Sequence, residues 1–360
     1  MKYLSYILLT ILGCVFYSCH DEDREFVNTP TQRKRQAIEV LNTELVNNKA
    51  GWLVMYFPKT DSLLFSNISD KIKAEYQYST DRYGYGGVCF TMRFLQHGKV
   101  EMRADFDPQS VTTSIMGEYK IGANSCTQLT FLTTNYIHKL VNDSYGGACD
   151  WLYQGRDEDG LLVFKTASYL KPACEYILMK PLQDVHEFAD AVKQAYDNRR
   201  VFERMKNPQL YIHRGGRVYF QSDYYLGRNG GRVATTEKQR YYLFMEVTKP
   251  NPIPDYPPKE FSVLGSGYCG TPKGITFRAG LRLNNKQVFA DFQRVGNHFE
   301  AELVEVYHPE WRSIRLVSKH LHPEGKITGL KAVIQDVPTC LLYTSPSPRD
   351  AHESRMPSSA

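Results

Sequence analysis

The chain has 360 residues, of which 42% are apolar and 23% charged, with a formal net charge of +5. That length holds two ordinary domains, and the apolar fraction excludes a disordered chain. The densest basic cluster, Arg33-Lys34-Arg35, is too small for the broad basic face that nucleic-acid binding needs, so no nucleic-acid partner is expected.

The N-terminus opens with Met1-Lys2 and an apolar run from Tyr3 to Tyr17. The run is too short to span a bilayer as a helix and has the layout of an export signal. It ends at Ser18-Cys19, a small residue before a cysteine, which resembles a bacterial lipobox. Residues 1–18 are therefore read as a lipoprotein signal peptide. Cys19 is the expected lipidated residue, carrying palmitate-type acyl chains, and the new N-terminus. Phe16 and Tyr17 are bulkier than a lipobox usually has, and Ile11-Leu12-Gly13-Cys14 makes Cys14 the alternative. Residues 19–28 form a tether. Its acidic run Asp21-Glu22-Asp23 resembles the surface-export signal of Bacteroidota lipoproteins. The expected location is the outer membrane, lipid-anchored, at the cell surface.

The far end reads differently. Cys340 to Ala360 back-translates in one frame into a transposase-type sequencing adaptor, an index and a flow-cell primer. Residues 340–360 are taken as translated adaptor, and the natural protein is expected to be truncated at about Thr339, its true end replaced. With Cys14, Cys19 and Cys340 set aside, Cys89, Cys126, Cys149, Cys174 and Cys269 remain. They are widely spaced and form no C-x-x-C pair. They are read as buried free thiols, with one disulfide as the alternative.

The body divides into an N-terminal helix plus β region (29–182), a connecting helix (183–208) and a second β region (209–339). Thr29-Pro30 opens the first helix with a capping hydroxyl and a proline, and Ala37, Ile38, Leu41 and Leu45 form its stripe. Trp52 to Phe57 is a continuous apolar run, expected to be a buried strand. Asp61-Ser62-Leu63 resembles a Bacteroidota O-glycosylation acceptor, which makes Ser62 a candidate modification site.

From Val88 to Phe106 apolar residues alternate on both sides of Gln96-His97-Gly98. A three-residue loop sets Phe94 opposite Val100, Met92 opposite Met102 and Phe90 opposite Ala104, and places Arg93 across from Glu101. Strands follow at 115–121, 127–133, 148–154, 161–165 and 174–179. Asp184 to Lys206 is the second helix. Strands are expected at 210–221, 232–234, 241–248, 275–277, 288–292 and 299–306, with a two-residue turn at Gly296-Asn297. The fold class is mainly β (α+β): two antiparallel β-sandwich or barrel-like halves, each preceded by a helix.

A family resemblance rests on Gly51-Trp52 with Tyr56-Phe57-Pro58, Tyr85-Gly86-Gly87, Leu129-Thr130-Phe131, Thr134-Asn135-Tyr136-Ile137-His138, Gly147 with Asp150, and Met179-Lys180-Pro181-Leu182. In order and spacing these resemble the Bacteroidota lipoprotein family called domain of unknown function 4302. The resemblance covers roughly 20–182 and, more loosely, the rest. It implies a secreted lipoprotein encoded near outer-membrane nutrient-uptake systems, and no activity.

Motifs for chemistry are sparse. There is no H-E-x-x-H, nucleophile elbow, phosphate loop or dinucleotide fingerprint, so no catalytic residue, metal or cofactor is assigned. His320-Leu321-His322 with Glu324 and Asp157-Glu158-Asp159-Gly160 are read as turns. Asp105 and Asp107 have a spacing that glycosidase carboxylates could share. Tyr83, Tyr85, Tyr145 and Trp151 fall at or beside turns, where exposed rings would stack on a glycan or grip a peptide; core packing is the alternative. The expected function is a surface-anchored, non-enzymatic binding or accessory lipoprotein beside outer-membrane uptake proteins. The alternative is a surface hydrolase for glycans or peptides.

Overall fold

In the computed structural model of the protein, residues 29–58, 86–123, 126–142, 147–157, 160–166, 176–227, 242–247, 262–282, 288–308 and 313–337 are described. The strand expected at 232–234 lies outside them. Helix α1 (Pro30–Asn47) starts with a reciprocal capping box. The Gln32 amide donates to the Thr29 hydroxyl and the Thr29 amide to the Gln32 side chain, which satisfies two donors left open at the helix start. Only its C-terminal half is packed. Leu41, Leu45 and Val46 are buried, while Ala37 and Val40 are exposed. The expected stripe is therefore shorter than the helix, which runs on past the surface it covers.

Eight strands follow: β1 (Trp52–Tyr56), β2 (Val88–Leu95), β3 (Lys99–Ala104), β4 (Ile115–Ala123), β5 (Thr127–Phe131), β6 (Asp150–Arg156), β7 (Leu162–Thr166) and β8 (Tyr176–Pro181). Each pairs with the next, and β1 pairs with β8, closing an up-and-down antiparallel barrel. The β2–β3 hairpin has the expected register, with Phe94, Met92 and Phe90 opposite Val100, Met102 and Ala104. Arg93 reaches Glu101 at 2.9 Å. In its loop both His97 (φ 60°) and Gly98 (φ 68°) are left-handed. A Cβ at position 98 would lie 2.7 Å from the Tyr119 carbonyl oxygen, so packing as well as backbone demands glycine there.

An eight-stranded barrel is just wide enough to be filled by side chains or to hold one small ligand. Here Trp52, Tyr56, Phe90, Trp151 and Phe164 fill it, none more than 1% exposed. Tyr56 meets Trp151 edge to face at 4.9 Å. The Trp52 indole donates to the Leu45 carbonyl at 3.1 Å and the Tyr119 hydroxyl to Asn42 at 2.9 Å, which ties α1 to the barrel. Two short helices interrupt the meander. Asp107 caps α2 (Pro108–Thr112), accepting from the Ser110 amide at 2.8 Å. Asn135 accepts from the Ile137 amide at 3.0 Å at the start of α3 (Tyr136–Asn142). Both cap residues are strong start signals that the strand pattern around them masks in the sequence.

Helix α4 (Glu187–Glu203) carries the chain into the second half. There the strands are β9 (Pro208–Arg214), β10 (Arg217–Gly227), β11 (Tyr242–Val247), β12 (Ser262–Gly267), β13 (Cys269–Thr271), β14 (Gly274–Arg282), β15 (Val288–Val295), β16 (His298–His308), β17 (Ser313–Ser318) and β18 (Lys326–Asp336). The single strand expected over 210–221 is two, because Gly215-Gly216, both at positive φ, turn the chain between them. The Gly296-Asn297 turn joins Val295 to its partner His298 as expected.

The sheet order runs β12-β11-β10-β9-β18-β16-β15-β14-β13, with β17 beside β16. Its two ends, β12 and β13, are separated in the chain by Tyr268 alone. The sheet therefore curls until its edges belong to one bent strand. With β12 and β13 counted as one and β17 set aside, this too is an eight-strand meander. Its first strand, β9, pairs with its last, β18, as β1 pairs with β8. One plan appears twice, a helix followed by a meander, although no residue-level repeat is visible.

The two halves share α4. Phe188, Ala191 and Ala195 cover the outer face of β1 and β2 at Leu53 and Cys89, which is why the Trp52–Phe57 run is apolar on both faces. The Thr91 hydroxyl donates to the Phe188 carbonyl at 2.8 Å. Farther along the helix, Phe202 packs edge to face against Tyr268 (4.9 Å) and Phe299 (5.7 Å). Gly270 of β13 approaches the helix so closely that a Cβ there would lie 2.1 Å from the Ala195 carbonyl oxygen. Gly270→Ala is expected to destabilise the protein by about 1–3 kcal/mol through overpacking, read as a lower urea midpoint. An unchanged midpoint would mean that the strand does not seat on the helix this closely.

Candidate functional site

The densest buried group of charges sits where the first barrel, α4 and the second sheet meet. Asp105 follows β3, is fully buried, and has its backbone amide on the Cys89 carbonyl at 3.1 Å. One carboxylate oxygen accepts from the Cys89 amide at 3.0 Å; the other accepts from Arg199 Nη1 at 2.8 Å. Arg199 Nη2 donates to the Asp105 carbonyl. Arg199 is 1% exposed, and its Nε lies 3.8 Å from Glu203 Oε1 on the next helical turn. Glu203 accepts from the Tyr268 hydroxyl at 3.1 Å, and its other oxygen faces Arg200 Nη1 at 3.4 Å. The Gly87 amide donates to the Tyr268 carbonyl at 2.9 Å. One polar chain thus runs from the first barrel through the helix to the seam of the second sheet.

Burial pushes the Asp105 carboxyl up to about 6, against the opposing pull of Arg199 and the Cys89 amide, and Glu203 adds to the rise. Burial also holds the Cys89 and Cys269 thiols well above the ordinary range. These groups join parts of the protein. Asp105 and Asp107, singled out as a carboxylate pair, do not face one cleft: the first is in this joint and the second caps α2.

A second polar group gathers the residues of the family motif on the rim of the first barrel. Thr130 and Gln128 donate to Asp150 Oδ1 at 2.7 and 3.0 Å. His138 Nδ1 lies 3.1 Å from Asn135 Oδ1. Burial lowers the His138 imidazole, and the Phe131 carbonyl and Asp150 oppose that fall. Cys149 Sγ is 3.9 Å from Asp150 Oδ2. Burial and then that carboxylate raise its thiol, away from the thiolate a nucleophile needs. Asn135 and Asp150 act here as a helix cap and an anchor for neighbouring strands. A shallow depression of about 250 Å³ lies between β2, β3 and the start of α4, where the Arg93 guanidinium rests 4.2 Å over the Phe188 ring.

Trp151 is corrected. It is fully buried against Tyr56 inside the first barrel, because it is an inward-facing residue of β6, so it presents no ring to a ligand. Tyr83, Tyr85 and Tyr145, with Cys14, Cys19, Ser62 and residues 340–360, lie outside the described residues. His320, His322 and Glu324 sit on the connection between β17 and β18, where His320 Nδ1 approaches Gln293 at 3.3 Å. Among the described residues no group of three or more His, Cys, Asp or Glu is arranged to hold a metal, and no helix is long and apolar enough to cross a membrane.

The second half carries an aromatic surface that sequence reasoning missed. On β9 the rings of Tyr211 and His213 lie nearly parallel, with centroids 5.8 Å apart and planes 23° apart. Gln221 and Asp223 of β10 bond to Gln209 beside them at 2.9 and 2.5 Å. The signal was present as Gln209-x-Tyr211-x-His213, alternate residues on one face of a strand.

Fold and sites together define a mainly β protein built from two helix-led meanders around a charged joint. A family model described as Domain of unknown function (DUF4302) matches residues 22–296, and the chain belongs to that family. The match takes in α1, the whole first barrel, α4 and the second sheet through β15. No curated protein and no solved structure matches the chain.

Proposed function

We propose that this chain is a surface-anchored, non-enzymatic binding or accessory lipoprotein of a Bacteroidota outer membrane, acting beside nutrient-uptake proteins on a glycan or peptide ligand. The observation that carries the binding role is the outward Tyr211–His213 face with its Gln209, Gln221 and Asp223 amide and carboxylate fringe. Flat rings bordered by planar hydrogen-bonding groups suit sugars and extended peptides. The rigid sheet holds them without cost in ordering. The Ser18-Cys19 boundary supports the anchor.

Two measurements test this. Mass spectrometry of the mature N-terminus is expected to find an acylated Cys19, and Cys19→Ala to release the protein from the membrane fraction. An unmodified N-terminus, or unchanged membrane retention, overturns the anchor. For binding, retardation in gels containing soluble neutral polysaccharide, or capture on an immobilised peptide array, is expected to fall at least tenfold in Tyr211→Ala. Equal binding by Tyr211→Ala removes this face from the proposal.

A further inference from the structure

The outer face of the first barrel carries two arginines that are held in place without being used up. Strand alternation sets Arg93 and Arg103 outside, since their neighbours Phe94, Met102 and Ala104 are core. Arg93 donates through Nε to the Lys49 carbonyl at 3.0 Å and through Nη1 to Glu101 Oε2 at 2.9 Å. Its guanidinium also lies flat on the Phe188 ring. Arg103 donates through Nε to the Ser114 hydroxyl at 3.0 Å and through Nη1 to the Val111 carbonyl at 3.3 Å. Both of these acceptors are neutral, and among the described residues Arg103 makes no ion pair. Nη2 of each arginine has no hydrogen-bond partner among the described residues.

Both arginines line the depression of about 250 Å³ at the start of α4, together with Glu101, Phe188, Ala189 and Asp190. The Thr91 hydroxyl on the Phe188 carbonyl pins the helix to the strands there, so the walls are set before any ligand arrives. We propose that this depression binds a small monocarboxylate flanked by hydrogen-bond donors, the chemistry shared by a sugar acid and a peptide C-terminus. A guanidinium already fixed by two bonds loses little freedom in taking a carboxylate, and charge-assisted bonds of this kind are the strong ones. Arg103 supplies a half-buried positive charge that no carboxylate yet balances.

The rest of the lining narrows the class. Glu101 Oε1 and the Asp190 carboxylate accept no hydrogen bond among the described residues. They repel a doubly charged phosphate, yet can accept from an O–H or N–H beside a single carboxylate. The volume lies below the ~300–1,000 Å³ of sites for drug-sized ligands, so it admits one sugar or one amino-acid residue of a longer chain. This site is on the first barrel and does not depend on the Tyr211–His213 face.

Saturation-transfer difference NMR titrations of the full chain test it with galacturonate, N-acetylalanine and, as the uncharged match, galactose. One or both carboxylates are expected to bind about tenfold more tightly than galactose, and the better of the two identifies the source. Ala189→Glu places a carboxylate on the lining without removing any bond of either arginine, and is expected to weaken binding about tenfold. Arg103→Gln is expected to do the same, and Tyr211→Ala to change nothing. No transfer to either carboxylate, or equal binding of galactose, overturns the proposal. So does undiminished binding by Ala189→Glu, which decides the matter if Arg103→Gln does not fold. Loss of carboxylate binding in Tyr211→Ala moves the site to the other face and overturns this one.

Discussion

Arg199→Ala is expected to cost about 3–5 kcal/mol of folding stability at pH 7.5, the largest loss of any single polar truncation in the described structure. The substitution removes the partner of a carboxylate that has no exposed surface. It also strips the hydrogen bonds to Asp105 Oδ2 and to its backbone carbonyl. Most of the cost is the desolvation of a charge left behind, not the worth of the pair itself. Two corollaries separate these. At pH 5 the loss is expected to be smaller, because Asp105 can then be held neutral. A double variant, Asp105→Leu with Arg199→Met, is expected to recover part of the lost stability, since it removes the stranded Asp105 charge while the Cys89 amide loses its acceptor and Glu203 loses Arg199. Urea unfolding of the three proteins at both pH values measures this. A loss below about 1 kcal/mol for Arg199→Ala, the range of a solvent-exposed ion pair, would mean that the joint is open to water.

The second large effect lies at the other end of the barrel. Trp52→Ala is expected to destabilise by about 3–5 kcal/mol through the cavity it leaves, as Trp52 is 1% exposed. Trp52→Phe keeps most of the volume but cannot donate to the Leu45 carbonyl, so about 1 kcal/mol is expected. If Trp52→Ala and Trp52→Phe fall together in thermal melts, volume is not what Trp52 supplies. If only Trp52→Ala falls, filling the barrel dominates over tying down α1.

How much of this was legible from the residues depends on range. The β2–β3 register was readable because both faces constrained it at once: apolar pairs on one side, Arg93 and Glu101 on the other. The α1 start was readable because Thr29, Pro30 and Gln32 are neighbours. The joint was not. Asp105 and Arg199 are 94 residues apart, and each alone is an ordinary charged residue with no local sign of burial. Trp151 was misjudged for a related reason. Proximity to a turn suggested exposure, yet the first inward position of a strand is already core, and only the position of Tyr56 across the barrel shows it. The repeated meander was hidden because barrel closure is encoded in which strands meet, and packing permits many sequences to satisfy the same pairing.

The pairing of β9 with β18 has a consequence for how the chain matures. The first barrel can close once Pro181 has emerged from the ribosome. The second cannot: β9 appears early, but its closing partner spans Lys326–Asp336. Until that strand arrives, β9 presents an unpaired row of backbone donors and acceptors on one side, the kind of edge that recruits strands from other chains. The late half of this protein is therefore the half that aggregation threatens while the chain is incomplete. A chain that stops short of β18 keeps its first barrel intact and leaves the second with an open, adhesive edge.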